Sequence, residues 1–281
     1  MTSRPYAEVI GDPIGHSKSP LIHGFWLEKL AIEADYRAVR VPLDGIGDYF
    51  TARRADPAWL GCNVTMPHKR AIAPFVDRVE WAAREISAIN CVHRVAPGHH
   101  DLAGDNFDAE GFSRALDEMG SEGGDVAPLA GKRAVLLGGG GAARAVRLAL
   151  GDHYQALGEV VLVSRVRPDF LGPDDRWYGW ADRADAIDGA DLLVNSTPLG
   201  MTGFDPLEVD CGRMAAGAMV SDLVYAPVDT PLLRQARAHG LRAVDGLGML
   251  IHQAALGFER FFGQTAPLEQ HADELRALLV A

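Results

Sequence analysis

This chain of 281 residues has little cysteine, no surplus of positive charge and no long apolar run, and each shortage removes a class of protein. Its three cysteines, Cys62, Cys91 and Cys211, are widely separated, without a Cys-x-x-Cys pair or a matching histidine spacing. They read as core thiols of a reducing compartment, with neither disulfide nor zinc implied. A formal net charge of −11 with no basic stripe argues against a nucleic-acid or anionic-membrane partner. A local basic pocket for an anionic cofactor is still compatible with it. After Arg4 the N-terminus offers only the short apolar run Ala7–Ile10, which is no signal peptide, and no later run is long enough to span a bilayer. A cytoplasmic enzyme is the expectation. His16, His23, His68 and His252 form no convincing ligand set, and no metal is expected.

What is present describes an ordinary globular protein, with 48% hydrophobic and 23% charged residues. The length suits two domains of about 100–200 residues each. The first half alternates strand-like and helix-like pieces. Strands are expected at Ala7–Ile10, Tyr36–Val41, Leu60–Thr65 and Ile89–Val95, and helices at Pro20–Leu30, Ile46–Arg54 and Trp81–Ser87. Pro97-Gly98-His99-His100 reads as a turn. A helix over Asp108–Met119 leads to an acidic, glycine-rich loop, Gly120–Asp125. A second α/β unit follows, with strand Ala134–Leu137, helix Ala142–Leu150 and strands Val160–Val163, Asp191–Asn195 and Met219–Leu223. Two helices, Gly248–Phe262 and Leu268–Leu279, end the chain, the first with Leu250, Ala254, Phe258 and Phe261 along one face. The alternation predicts two α/β domains with mostly parallel sheets.

Between Leu137 and Ala143 the spacing is Gly-x-Gly-x-x-Ala, directly after a strand and opening a helix. Gly138 allows the tight turn, Gly140 lets a pyrophosphate approach the backbone, and Ala143 permits close helix–strand packing. Gly141 and Ala142 would add N–H groups of the helix start. A glycine-rich turn that binds nothing is the plain alternative. The next strand ends in Ser164-Arg165-Val166-Arg167, with no acid to grip the ribose of NAD, and Glu159 lies at its other end. An arginine there attracts a 2′-phosphate, so NADP is the expected cofactor. The alternative is an arginine that merely solvates a loop.

Lys69 closes the segment Asn63-Val64-Thr65-Met66-Pro67-His68-Lys69. Val64 reads as strand and Pro67 as the first position of a helix, which puts Lys69 in a first turn where a cation is disfavoured. An amine so placed beside Asn63 and Thr65 suits chemistry better than solubility, although a solvated lysine beside a turn explains the segment equally well.

Several segments together resemble the shikimate dehydrogenase family. Gly15-His16-Ser17-Lys18-Ser19-Pro20 looks like its Ser-x-Ser-Pro motif, and Asn63–Lys69 like its Asn-Val-Thr-x-Pro-x-Lys motif. Ala88-Ile89-Asn90 and Asn106-x-Asp108 resemble its remaining substrate elements. Asn195–Met201, Asp222-Leu223-Val224-Tyr225 and Gly248-Met249-Leu250-x-x-Gln253 resemble its later signatures. The resemblance spans nearly the whole chain in the family's order. It implies NADP-linked interconversion of 3-dehydroshikimate and shikimate in aromatic biosynthesis. Residues 1–105 with 246–281 would form the substrate domain and 106–245 the Rossmann-like domain with its linking helix, with substrate in the cleft between the two.

The resemblance makes Lys69 and Asp108 the catalytic pair. It makes Ser17, Ser19, Asn63, Thr65, Asn90, Tyr225 and Gln253 substrate-binding. It adds Thr197, Leu223, Gly246 and Met249 to the cofactor set of Gly138, Gly140, Gly141, Ala142, Ala143, Ser164 and Arg165. Residue by residue, ordinary roles compete. Asp108 suits a helix first turn, Ser19 before Pro20 suits a cap, and Gln253 suits solvent. Two departures matter. Cys91 and Phe107 replace residues of the family pattern; Phe107 could make the wall beside Asp108 more apolar, which keeps open quinate, an aminated analogue or weak turnover, with interdomain packing of its side chain as the plainer alternative. A quinate/shikimate dehydrogenase with relaxed cofactor use and a non-catalytic metabolite sensor on the same scaffold are the other readings. The assembly expected is a monomer or homodimer.

Overall fold

The computed structural model describes residues 4–96, 98–121, 129–154 and 157–280. Contacts divide the chain into two compact units, Met1–Phe107 with Gln253–Ala281, and Asp108–His252. The expected divisions lie at 105/106 and 245/246; the second break instead falls inside a helix.

The first unit begins with β1 (Tyr6–Gly11), α1 (Ser19–Lys29), β2 (Asp35–Arg40), α2 (Ile46–Ala55) and β3 (Trp59–Val64). It continues with β4 (Arg78–Val79), α3 (Trp81–Ile86), β5 (Cys91–Arg94) and β6 (Leu102–Asp105). The strands form one sheet in the order β2-β1-β3-β5-β6-β4. Only β5 runs against its neighbours β3 and β6; the others share one direction. Ile10, Phe50, Trp59, Ile72 and Val92 are buried on one another in its core. Each such side chain contributes about 1.5–3 kcal/mol by leaving water. The core also encloses a charge. The Glu8 carboxylate, 1% exposed, accepts from Arg53 Nε at 2.7 Å, Arg53 Nη2 at 3.0 Å and Tyr49 Oη at 2.7 Å.

The second unit holds α4 (Asp108–Ser121), β7 (Arg133–Leu137), α5 (Gly141–Asp152), β8 (Glu159–Ser164), β9 (Arg176–Gly179) and α6 (Arg183–Ile187). Then come β10 (Leu192–Asn195), β11 (Met219–Asp222), α7 (Pro231–Ala238) and β12 (Arg242–Val244). Its sheet is entirely parallel, in the order β12-β11-β10-β7-β8-β9. That is the doubly wound arrangement, with its switch point between β7 and β10. Central strands are covered on both faces, so Ala134–Leu137, Val161–Val163 and Leu192–Val194 are continuous apolar runs, wholly buried. Two helices close the chain. α8 (Gly246–Phe262) carries the division between the units, and α9 (Leu268–Val280) packs on α1. Among the described residues no helix is long and apolar enough to cross a membrane.

The strands β4, β6, β9 and β12 are additions to the expected elements. None has an apolar run to announce it. β9 is Arg-Trp-Tyr-Gly on a sheet edge, and β6 contains Gly104, where a Cβ would meet Ile89 Cδ1 at 2.5 Å. The turn expected at 97–100 starts on a residue outside the described set, and the loop expected at 120–125 lies mostly outside it.

Candidate functional site

In the first unit the topology collects the chosen residues on one edge of the sheet. β1, β3 and β6 end there and the antiparallel β5 begins there, because Asn63 pairs with Cys91 and Cys91 with Asp105. The segments that follow or precede these strand ends are Gly11–Ser19, Thr65–Lys69, Asn90 and Asp105–Phe107. Close approach is built in at Gly11. A Cβ on it would come within 2.7 Å of Thr65 Cγ2 and 2.9 Å of the Met66 carbonyl oxygen.

Lys69 sits otherwise than expected. After a cis Met66–Pro67 bond comes a single 3-10 turn, His68–Arg70, in place of an α-helix. The Lys69 carbonyl accepts from Ile89 N–H at 2.7 Å, which commits it to the neighbouring segment and not to a continuing helix. A turn this short has no macrodipole to disfavour the Lys69 cation. What holds the turn is His68. Its ring is fully buried and Nε2 donates to the Val41 carbonyl at 2.6 Å, while Lys69 is half-buried. His68 is an anchor of the turn.

The cap expected as the ordinary role of Ser19 is not made by its side chain. Ser19 is the first residue of α1 and caps nothing with its side chain, whereas Ser17 Oγ accepts from Ser19 N–H at 3.3 Å. Thr65 is half-buried, Asn90 is buried, and Gln253 is half-buried on α8. Asn90 Oδ1 accepts from Phe107 N–H at 3.0 Å, and Asn106 Nδ2 donates to the Ala88 carbonyl at 2.9 Å. Asn63 is buried with its oxygen already taken by Tyr36 Oη at 2.6 Å. Tyr36 carried no signal in the sequence beyond its place in a strand.

The two departures from the family pattern share one place. Cys91 and Phe107 are buried in the same apolar cluster, with Ala7 and Phe261, and the Arg260 guanidinium lies 5.9 Å from the Phe107 ring centroid. A small polar pair has been exchanged for an apolar pair inside the first unit.

In the second unit the expected cofactor residues stand at the carboxyl ends of parallel strands. Gly138 ends β7 with φ +123°, and a side chain there would collide with Ser196 Oγ, which itself donates to the Leu137 carbonyl at 2.6 Å. Gly140 precedes α5 with no side-chain cap, and a Cβ on Gly140 or Gly141 would meet nothing within 4 Å. Ala143 is fully buried against the sheet. The result is an open cradle facing the unpaired N–H groups of a twelve-residue helix, which fits a pyrophosphate.

Ser164 turns inward. Its hydroxyl donates to the Val166 carbonyl at 2.7 Å and accepts from Trp177 Nε1 at 3.0 Å, so it shapes the turn that leaves Arg165 and Arg167 exposed. Glu159 pairs with Arg133 at 2.7 Å and Arg176 at 2.8 Å at the opposite end of β8. The loops after β10 and β11 are tied together by Asp222, fully buried, which accepts from Asn195 Nδ2 at 2.9 Å, Thr230 Oγ1 at 2.7 Å and Val224 N–H at 3.1 Å. Burial pushes the Asp222 carboxyl above its usual range against those three donors. The same Asn195 orders Thr197 through its Oδ1, accepting from the hydroxyl at 2.7 Å and the N–H at 3.0 Å. Leu223, Tyr225 and Met249 are half-buried, and burial raises the Tyr225 phenol. Gly246 opens α8 where a Cβ would strike the Leu223 carbonyl, and Asp245 Oδ1 accepts from Leu247 N–H at 2.9 Å. Asp108 is the buried first residue of α4.

Strand order, switch point and glycine cradle make the second unit a dinucleotide-binding domain of the Rossmann class, and the chain an α/β protein built around one. Comparison with known proteins carries this further. Residues 9–92 match the family model described as "Shikimate dehydrogenase substrate binding domain", and residues 246–275 that of the "Shikimate 5'-dehydrogenase C-terminal domain". A shikimate dehydrogenase (NADP(+)) of Sphingopyxis alaskensis is 48% identical over 281 residues, covering 99% of this chain and 97% of that one. A shikimate 5-dehydrogenase of Thermus thermophilus, solved with NADP(H) and shikimate, is 33% identical with a TM-score of 0.83, covering 98% of this chain and 99% of that one. A ligand-free 5-ketofructose reductase of a Gluconobacter strain is 26% identical with a TM-score of 0.82, covering 99% and 100%. The chain belongs to the shikimate dehydrogenase family.

Proposed function

We propose that Lys69 moves the proton in the reversible, NADP-dependent reduction of 3-dehydroshikimate to shikimate, a step of aromatic biosynthesis, with Asp108 as its acidic partner. The reaction follows from family membership. The role of Lys69 rests on its place, a half-buried amine at the end of Asn-Val-Thr-x-Pro-x-Lys on the ligand edge of the sheet.

When bound, NADPH supplies a hydride to the substrate carbonyl carbon. Negative charge then gathers on the carbonyl oxygen and needs a proton or a fixed positive charge. The Lys69 ammonium gives its proton to that oxygen in reduction, and the amine takes it back in oxidation. Ser17, Ser19, Thr65, Asn90, Tyr225 and Gln253 bind the carboxylate and hydroxyls of the substrate, supported by Asn63. Gly138, Gly140, Gly141, Ala142 and Ala143 receive the pyrophosphate. Arg165 meets the 2′-phosphate, on a turn that Ser164 holds, and Thr197, Leu223, Gly246 and Met249 line the nicotinamide side. Three free, buried thiols suit a reducing compartment, and we place the enzyme in the cytoplasm.

The test is turnover of shikimate and quinate with NADP and NAD, followed at the nicotinamide absorbance band. Shikimate with NADP should give the highest kcat/KM. Lys69→Ala should lower kcat by roughly 10²–10⁴-fold. Near-normal kcat in that variant would remove Lys69 from the chemistry.

A further inference from the structure

We propose that Tyr36 is a positioning residue for substrate binding, its buried phenol holding Ser19 and Asn63 in a common register from an edge strand that touches no expected ligand. The proposal rests on the reading that Ser19 and the Asn63–Asn90 edge receive substrate.

Tyr36 lies on β2, whose Cα partner in β1 is Ala7. The residue is half-buried, but its hydroxyl end is enclosed, and burial pushes the phenol well above its usual range. The phenol therefore keeps its proton and has one to give. It gives it to Asn63 Oδ1 at 2.6 Å, and the Ser19 hydroxyl is its second partner. Asn63 then has its NH2 turned the other way, where Nδ2 donates to the Asn90 carbonyl at 3.4 Å. Tyr36 and the Asn90 carbonyl together fix the orientation of the Asn63 amide. Gly257 on α8 walls the other side; a Cβ there would stand 3.1 Å from Asn63 Nδ2. A rotated Asn63 would set its oxygen against the Asn90 carbonyl and lose that bond, and the phenol would have to turn its proton elsewhere to accept from the NH2.

The phenol is itself held. Its ring stacks on His23 at 3.9 Å between centroids with an interplanar angle of 3°. His23 is completely buried beside Asn63, and Trp26, Phe258 and Phe261 surround it. One stacked pair therefore links α1, β2, β3 and α8 within the first unit. From Asn90 the tie continues, since its Oδ1 accepts from Phe107 N–H, the residue before Asp108.

Tyr36→Phe deletes one oxygen and keeps the stack, so it isolates the tie. It should raise KM for shikimate roughly tenfold, the effect of stranding one buried acceptor, with kcat changed by no more than about threefold. KM for NADP should stay at the wild-type value. Asn63→Ala should give a similar rise, and the double variant should be no worse than Asn63→Ala alone, because both break one chain of bonds. If Asn63→Ala does not fold, Asn63→Asp serves, since it keeps an acceptor for the phenol and loses the donor to Asn90. A shikimate KM within twofold of wild type in Tyr36→Phe would overturn the proposal, even if the urea midpoint falls. So would independent, multiplying effects in the double variant. Lys69→Ala in the same assay separates the two readings: loss of kcat there with a normal Tyr36→Phe sinks only the positioning role.

Discussion

His23 buries an imidazole whose charged form burial disfavours more than the neighbouring Asn63 can offset, and acid should find it. Burial lowers its pKa from 6.5 to about 3. The folded state therefore binds this proton far more weakly than the unfolded chain. Stability from the neutral ring is fully present above about pH 6.5 and is lost as pH falls toward about 3. Between about pH 7 and pH 5 the loss comes to about 2 kcal/mol, at 1.36 kcal/mol per unit of pKa difference traversed. Other groups also titrate in this range, among them His93, whose pKa burial lowers too. A difference measurement removes them. His23→Phe keeps an aromatic ring stacked on Tyr36 and has nothing to protonate. Urea unfolding of both proteins at the two pH values, followed by tryptophan fluorescence, should show the wild type losing about 2 kcal/mol more than the variant. Equal losses in the two proteins would mean that the buried imidazole is not the acid-sensitive group.

Other perturbations follow from the same geometry. Arg53→Ala leaves the Glu8 carboxylate enclosed with Tyr49 as its remaining hydrogen-bond partner among the described residues, and should cost about 3–5 kcal/mol in urea unfolding; a loss under about 1 kcal/mol would show the charge is relieved in some other way. Arg165→Ala should raise KM for NADP by roughly tenfold and leave KM for NAD unchanged, since only the former carries a 2′-phosphate. An equal rise for both cofactors would assign Arg165 a structural role. The Lys69→Ala and Tyr36→Phe measurements divide the site itself, the first acting on kcat and the second on KM for shikimate.

Much of the polar detail had no counterpart in the residue pattern. Asn63 stands in a motif that gave no sign that its oxygen accepts from Tyr36. Phe107 and Cys91 are packed with Phe261 in the interior of the first unit, a shared place their positions in the sequence did not show. Lys69 was expected on a helix, and the capture of its carbonyl by Ile89 makes the turn a single 3-10 loop. In each case the deciding partner lies more than fifteen residues away along the chain.

By itself the amino-acid order determined the two α/β units, the central strands and the glycine cradle. Strands covered on both faces must be apolar throughout, and a turn at φ +123° against Ser196 tolerates only glycine, so these demands are written locally. The edge strands, the inward turn of Ser164, the enclosed Glu8 and the Ser19–Tyr36–Asn63 tie were decided only by tertiary structure. Their hydrogen-bond partners come from other strands and helices, and a polar residue's role is fixed by the group that shares its proton.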